Sequence, residues 1–304
     1  MKQLFVRRLG NGWIQGSVLA LWLVLGAFCA EAAEKSKPSK AVPTAASILD
    51  EAQTAYAKKD VSQAMNLINR AMKLEPRNPR PYFARARLHS SQGDSEKAIQ
   101  DFDRVLELDP TATDVLQLRG IERFRQGHAA DAVRDFNNYL TAVPNQTPYH
   151  WQRGIAFYYT DQFAEGRRQF EMHQTVNPQD VENSAWHFFC IARVDGADKA
   201  REALLPVSQD TRVPMAQIYA LLAGQGTPEQ VLDAARIGNP SPLVLDRNLF
   251  YAHLYLGLYF EALKQDKLSR EHIEKAVHYA PKDDYMASVA RVHAKVRKIT
   301  SKSK

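Results

Sequence analysis

Cysteine is nearly missing from this chain, with two in 304 residues, and glycine and proline are present only in ordinary numbers, 14 and 15. One of the two, Cys29, falls in an apolar N-terminal stretch that reads as a leader. A chain without that leader keeps Cys190 alone and can form no internal disulfide. Stability must then come from packing, for which 45% hydrophobic residues supply the material. Ordinary glycine and proline usage excludes collagenous and broadly disordered classes. A large excess of one charge is also missing. Forty basic residues against 34 acidic ones leave a net charge of +6, an intermixed solvated surface rather than the footprint of a nucleic-acid binder.

The motifs of common catalytic sites are absent as well. Nine histidines include no HExxH pair, and neither GxSxG nor a Gly-rich phosphate loop occurs. His272 and His278, six residues apart, do not share a helical face. His187 and Cys190 could share one, but two ligands do not make a zinc site, and Cys190 beside Phe188 and Phe189 reads as a small buried hydrophobe. No catalytic residue, no metal and no cofactor is expected, and a hydrolase ranks last among the alternatives.

What is present begins with a targeting signature. Lys2, Arg7 and Arg8 precede the uncharged apolar run WIQGSVLALWLVLGAFCA (13–30), and AEA (30–32) follows with small residues at alternate positions. This is the layout of an export signal, with cleavage expected after Ala32 and a periplasmic or cell-envelope location. The rival is an uncut signal anchor, since 18 residues are just long enough to span a bilayer and the basic end would stay inside. Cys29 as a lipid acceptor is a third reading, weakened by bulky Phe28 where a lipobox has a small residue. Residues 33–44, AEKSKPSKAVPT, read as a solvated linker.

From Ala45 a helical pattern begins, and it repeats. GDSEKAIQDFDRVLELDP (93–110) matches GHAADAVRDFNNYLTAVP (127–144) place for place, and Pro76, Pro110, Pro144 and Pro178 stand 34 residues apart. Within 79–112 small Ala86 and Ala98 let two helices approach, Phe102 fills the gap and Pro110 stops the second helix. The equivalents are Gly120, Ala132, Phe136 and Pro144, then Gly154, Gly166, Phe170 and Pro178. A glycine inside a helix costs about 1 kcal/mol relative to alanine, so these glycines imply approaches too close for a Cβ. The late stretch 248–281 fits the same template with Gly257, Ile273, Ala276 and Pro281.

Arg85, Arg119 and Arg153 are also 34 apart, and the first two have an acid 16 residues on, Asp101 and Asp135. They read as ion pairs tying helix to helix, with an anion-binding ladder as the alternative. Where the acid gives way to Gln169, Arg153 becomes the better candidate for a ligand contact.

This 34-residue pattern resembles the tetratricopeptide repeat, a pair of antiparallel helices per unit. The resemblance implies an all-α, right-handed solenoid, with four repeats over 45–180, degenerate helical pairs over 181–247, a further repeat over 248–281, a capping helix over 282–298 and a basic tail over 299–304. GNPSPLVLD (238–246) reads as a loop, and Thr227-Pro228 as the start of a helix. The order of units resembles that of the new lipoprotein I group of bacterial periplasmic adaptors. The family's geometry places thirteen residues along a concave groove: Arg80, Phe83 and Arg87; Gln117, Ile121, Phe124 and Arg125; Trp151, Ile155, Tyr158 and Tyr159; Phe189 and Arg193. At least half are expected to face solvent. Aromatics beside arginines are the residue types of binding hot spots. Phe83 and Gln117 stand where chaperone-binding members hold lysine and asparagine, so a clamped C-terminal carboxylate is not expected there, and acidic or aromatic peptide segments fit better.

The expected function is therefore an exported, non-catalytic adaptor that holds a protein or peptide in its groove. The alternatives are a self-associating structural protein, with a homodimer as the partner state, and a cell-wall or carbohydrate binder using Trp151, Tyr158 and Tyr159. The basic end, Lys295, Arg297, Lys298, Lys302 and Lys304, would suit an anionic lipid or polymer.

Overall fold

The computed structural model describes residues 43–282 and 284–299. The expected export signal, nearly all of the expected linker and the expected basic tail from Thr300 onward lie outside the described residues. All regular structure within them is helical, and the chain divides into two compact units, Met1–Pro76 and Arg77–Lys304.

In the first unit α1 (Ala45–Ala57) pairs with α2 (Val61–Leu74). Ile48, Leu49, Ala52 and Ala55 face Ala64, Leu67, Ile68 and Ala71, apolar stripes at helical spacing. Thr44 and Ser47 close a reciprocal cap on α1: the Thr44 Oγ1 accepts from the Ser47 N–H at 3.2 Å, and the Ser47 Oγ accepts from the Thr44 N–H at 3.1 Å. The Glu75 carboxylate accepts from the Ala45 N–H at 3.1 Å, tying the start of α1 to the end of α2.

In the second unit the pairs α3 (Pro79–Ser91)/α4 (Ser95–Leu108) and α5 (Thr113–Arg125)/α6 (Ala129–Ala142) follow one local plan. Ala86, Ala98, Phe102, Ala132 and Phe136 are fully buried at their shared interfaces. A Cβ on Gly120 would lie 2.6 Å from the Phe136 ring, and one on Gly154 2.6 Å from the Phe170 ring, while Gly166 meets the Cys190 Sγ at 2.8 Å. The inference from helix-interior glycines holds at all three. The stops Pro110, Pro144 and Pro178 lie on the surface past the second helices. The turn between helices also repeats. Lys59, Gly93, Gly127 and Asp161 all have positive φ (64°, 78°, 81° and 56°) at 34-residue intervals, joined by Lys264 at 58°. Glycine adopts this left-handed conformation freely; lysine and aspartate do so against a steric cost of about 1 kcal/mol or more.

The next pair departs from the plan. Pro144–Tyr149 is a 3-10 segment containing Pro148, whose missing N–H cannot sustain an α-helix. The following α7 (Trp151–Tyr158) is cut to eight residues before α8 (Phe163–Gln174). The degenerate region forms α9 (Val181–Asp195), α10 (Ala197–Glu202), α11 (Met215–Leu222) and α12 (Pro228–Ala234). Thr227 caps α12 reciprocally with Gln230, and Pro228 is its first residue.

The loop expected over 238–246 is corrected: α13 (Pro242–Ala262) already begins at Pro242, where proline's fixed φ suits a first helical position. Every residue of α13 from Asn248 to Phe260 is buried, so this 21-residue helix is a core strut, with Gly257 packed on Ile273 of α14 (Asp266–Tyr279) and Ala276 also fully buried. Pro281 follows α14, and α15 (Tyr285–Val296) closes the described chain.

Candidate functional site

The thirteen residues expected in a groove lie on α3, α5, α7 and α9, with Tyr159 directly after α7. They divide into two groups.

On α3 and the first turns of α5 the face is open. Arg80 is exposed, and Phe83, Arg87, Gln117 and Ile121 are half-buried. Phe83 packs at a tilt against Phe102, with centroids 6.2 Å apart and planes at 58°, and stays half-buried.

Further along, the face is covered by the chain's own C-terminus. Phe124, Ile155, Tyr158, Tyr159 and Phe189 are buried, and the expectation of an open groove there is corrected. For Phe124 and Tyr159 the cover is α15, which lies against α5, whereas Tyr158 is enclosed by Tyr159, Phe163 and Trp186. The Tyr285 ring stacks on Phe124, with centroids 5.7 Å apart and planes at 15°, and meets Trp151 edge-on at 5.0 Å. The Tyr159 hydroxyl pairs with His293 Nδ1 at 3.1 Å, and Lys295 Nζ donates to the Gln126 carbonyl at 2.7 Å. Phe189 is covered differently, by Tyr255 of α13 stacked at 6.4 Å.

One carboxylate holds this arrangement together. Glu261, at the end of α13, accepts from the Tyr158 hydroxyl and from Arg297 Nε at 2.5 Å each, and lies 3.4 Å from Arg193. Arg193 also lies over the rings of Tyr158 (5.6 Å) and Phe163 (5.0 Å). Two of the cations assigned to a free basic end, Lys295 and Arg297, are thus engaged within the fold.

Burial sets the protonation of the covered groups. It raises the Tyr158 and Tyr159 hydroxyls well above the usual phenol range and pushes His293 down to about 4. The Tyr285 hydroxyl and His293 Nε2 are buried without a hydrogen-bond partner.

Arg125, at the border of the two groups, donates to the buried Glu122 at 2.6 Å; Ser90 and Ser95 hydroxyls donate to the same carboxylate at 2.5 and 2.6 Å. Glu261, Tyr285 and His293 were not among the expected site residues. The signal that could have found them is the stripe Met286, Val289, Ala290 and His293 on the closing helix, which needs something to pack on.

The arginine series is resolved as helix-to-helix pairing. Arg85 binds Asp101 through two 2.8 Å bonds, and Arg119 binds Asp135 at 2.9 and 2.6 Å and Asp103 at 2.7 Å. Arg153 binds the amides of Gln169 and Asn137 instead. Cys190 is buried, as a small hydrophobe would be. Among the described residues no group of three or more histidine, cysteine or acidic side chains is placed to hold a metal, and no helix is long and apolar enough to cross a membrane.

A tetratricopeptide repeat family model matches residues 53–120, and the helix pairs of that fold run on beyond the match. Residues 53–120 carry tetratricopeptide repeats. Its fold is similar to that of a tetratricopeptide repeat protein from Parabacteroides merdae ATCC 43184, at 15% identity and a TM-score of 0.55 over 82% of this chain and 98% of the other. Lower similarity links it to MamA from Desulfovibrio magneticus RS-1, with 18% identity, a TM-score of 0.48, and 52% and 89% of the two chains covered. It is likewise similar to YrrB, described as a tetratricopeptide protein with an unusual peptide-binding site, with 19% identity, a TM-score of 0.41, and coverage of 75% and 97%. At these identities the likeness concerns the fold alone. No curated protein sequence matches the chain.

Proposed function

We propose that the chain is an exported, non-catalytic adaptor, and that a protein or peptide partner docks on the open part of the first-helix face, at Arg80, Phe83, Arg87 and Gln117. The observation that supports this is the contrast along the first helices: α15 covers Phe124 and Tyr159, and the stretch before them stays accessible. A half-buried aromatic ring between two arginines is an anchor for aromatic or acidic side chains. Export rests on the N-terminal signature, which lies outside the described residues.

The test is crosslinking in intact cells followed by capture, comparing the native chain with an Arg80→Ala, Phe83→Ala, Arg87→Ala variant of unchanged helicity. Capture of envelope proteins by the native form and their loss in the variant supports the reading. Equal capture by both overturns the docking surface, and recovery of the chain alone moves the reading to self-association. The mass of the purified chain tests cleavage of the signal, because a processed form lacks residues 1–32, and an uncut anchor keeps them.

A further inference from the structure

The repeat supplies its own control for Arg153. In the preceding unit Arg119 and Arg123 share two carboxylates that balance their charge: for Arg119, Asp135 on the paired second helix takes Nε and Nη2, and Asp103 on the previous second helix takes Nη1. One repeat later Arg153 keeps the same geometry with the same atoms. Nε and Nη2 donate to Gln169 Oε1 at 2.9 and 2.6 Å, and Nη1 donates to Asn137 Oδ1 at 3.1 Å. Both partners stand 34 residues after the aspartates they replace, and both are neutral. The orientation of Gln169 is fixed, because its Nε2 donates to the Thr147 carbonyl at 2.7 Å, leaving only its oxygen for the arginine.

The guanidinium is therefore positioned as firmly as its predecessor while its charge is not compensated. The Phe157 ring lies 5.5 Å from it on one side, and burial lowers its proton affinity without any acidic group acting in return. Of the five N–H donors of an arginine, three are used, and two remain on a group that is half-buried and next to exposed Asn137. Arg153 also lies about 200° around α7 from Trp151 at helical spacing, away from the face that α15 covers.

We propose that Arg153, held by Gln169 and Asn137, is a receptor for a carboxylate, supplied by an acidic side chain or a chain terminus of a partner, at a site separate from the first-helix face. The missing counter-ion of the repeat is brought by the ligand. A partly desolvated, pre-oriented guanidinium favours the planar two-oxygen geometry of a carboxylate.

The experiment follows the Arg153 Nε resonance in the 15N-labelled full chain, identified by its loss in Arg153→Lys. The probes are an acetylated, amidated oligoglutamate (side-chain carboxylates only), an acetylated oligoalanine with a free C-terminus (a main-chain carboxylate only), and sodium sulfate. At least one carboxylate probe is expected to shift the resonance saturably, and the tighter of the two names the source. Asn137→Ala should still bind, because it leaves the charge uncompensated. Asn137→Asp, which restores the counter-ion of the Arg119 site, should weaken binding by up to about fivefold, the scale of a partly exposed ion pair. No shift with either carboxylate, a shift with sulfate alone, or an Asn137→Asp titration equal to the native one would overturn the proposal. None of these outcomes depends on Arg80, Phe83 or Arg87, so the two surfaces stand or fall separately.

Discussion

Tyr285 is the residue through which the seating of α15 is most directly tested. Its ring is stacked on Phe124 and edge-on to Trp151, two aromatic pairs of about 0.5–1.5 kcal/mol each beyond the area they bury. Truncation of a buried aromatic to alanine costs about 3–5 kcal/mol, and because Tyr285 is only half-buried as a residue its loss falls just below that range, about 2–3 kcal/mol. Its hydroxyl tells a different story. It is buried with no hydrogen-bond partner, and burial raises its proton affinity far above the ordinary phenol value. An unsatisfied buried hydroxyl costs about 1–3 kcal/mol, so removing it alone should not destabilise. Tyr285→Ala is thus expected to lose about 2–3 kcal/mol in urea unfolding followed by far-UV circular dichroism, while Tyr285→Phe should equal or exceed the native chain. Trp151 emission gives a local reading: in Tyr285→Ala it should shift to the red before global unfolding, because the edge-on partner is gone. If Tyr285→Ala is as stable as the native chain with unchanged emission, α15 is not seated on this face. If Tyr285→Phe loses as much as Tyr285→Ala, the hydroxyl has a partner and that part of the reasoning fails.

The buried histidines His150, His253, His272 and His293 have values pushed by burial to about 4, about 3, about 4 and about 4. The unfolded chain therefore takes up protons below about 6.5 that the folded chain refuses, and stability should be full above that pH and fall as pH drops toward 4; for fully buried His293 the ceiling is about 3 kcal/mol. Glu182 opposes the trend, since burial raises it to about 7 and its contribution is lost as pH rises from the ordinary carboxylate value through that point, but it is one group against four. A pH series of urea midpoints checks the sign, and His293→Gln should flatten it. Lys59→Gly and Lys264→Gly, at positive φ, should each raise stability by about 0.5–1 kcal/mol, and a loss would show that the turns are not left-handed. Gly120→Ala and Gly154→Ala should each cost about 1–3 kcal/mol, because the added methyl would sit 2.6 Å from a packed phenyl ring that has to move; thermal melts that rise instead would refute the close approach.

What was legible in the sequence was local and periodic. The interval of 34 fixed the spacing of Gly120 and Gly154 beneath Phe136 and Phe170, and the pairing of Arg85 with Asp101 and Arg119 with Asp135, because each depends on residues within a single helix pair. The conformation of Lys59, Asp161 and Lys264 was hidden, since glycine marks the same turn only at Gly93 and Gly127. The return of α15 to α5 and α7 was hidden for a different reason. Tyr159 and His293 are 134 residues apart, and Gln126 and Lys295 are 169 apart. An amphipathic stripe says that a helix must be covered and not by what.

That return changes what the first-helix face can offer. A ligand for Trp151 or Tyr159 has to compete with α15, and its apparent affinity is reduced by the fraction of molecules in which α15 is away. If lifting α15 costs about 3 kcal/mol, that fraction is below about one in a hundred. A ligand for Arg80, Phe83 and Arg87 meets no such factor. Alanine substitutions at Tyr158 and at Phe83 should therefore act differently on binding at the open part. Phe83→Ala removes an accessible anchor and weakens capture of the partner. Tyr158→Ala removes the ring under Arg193 and the donor to Glu261, loosens the covered part, and leaves the open part as it is.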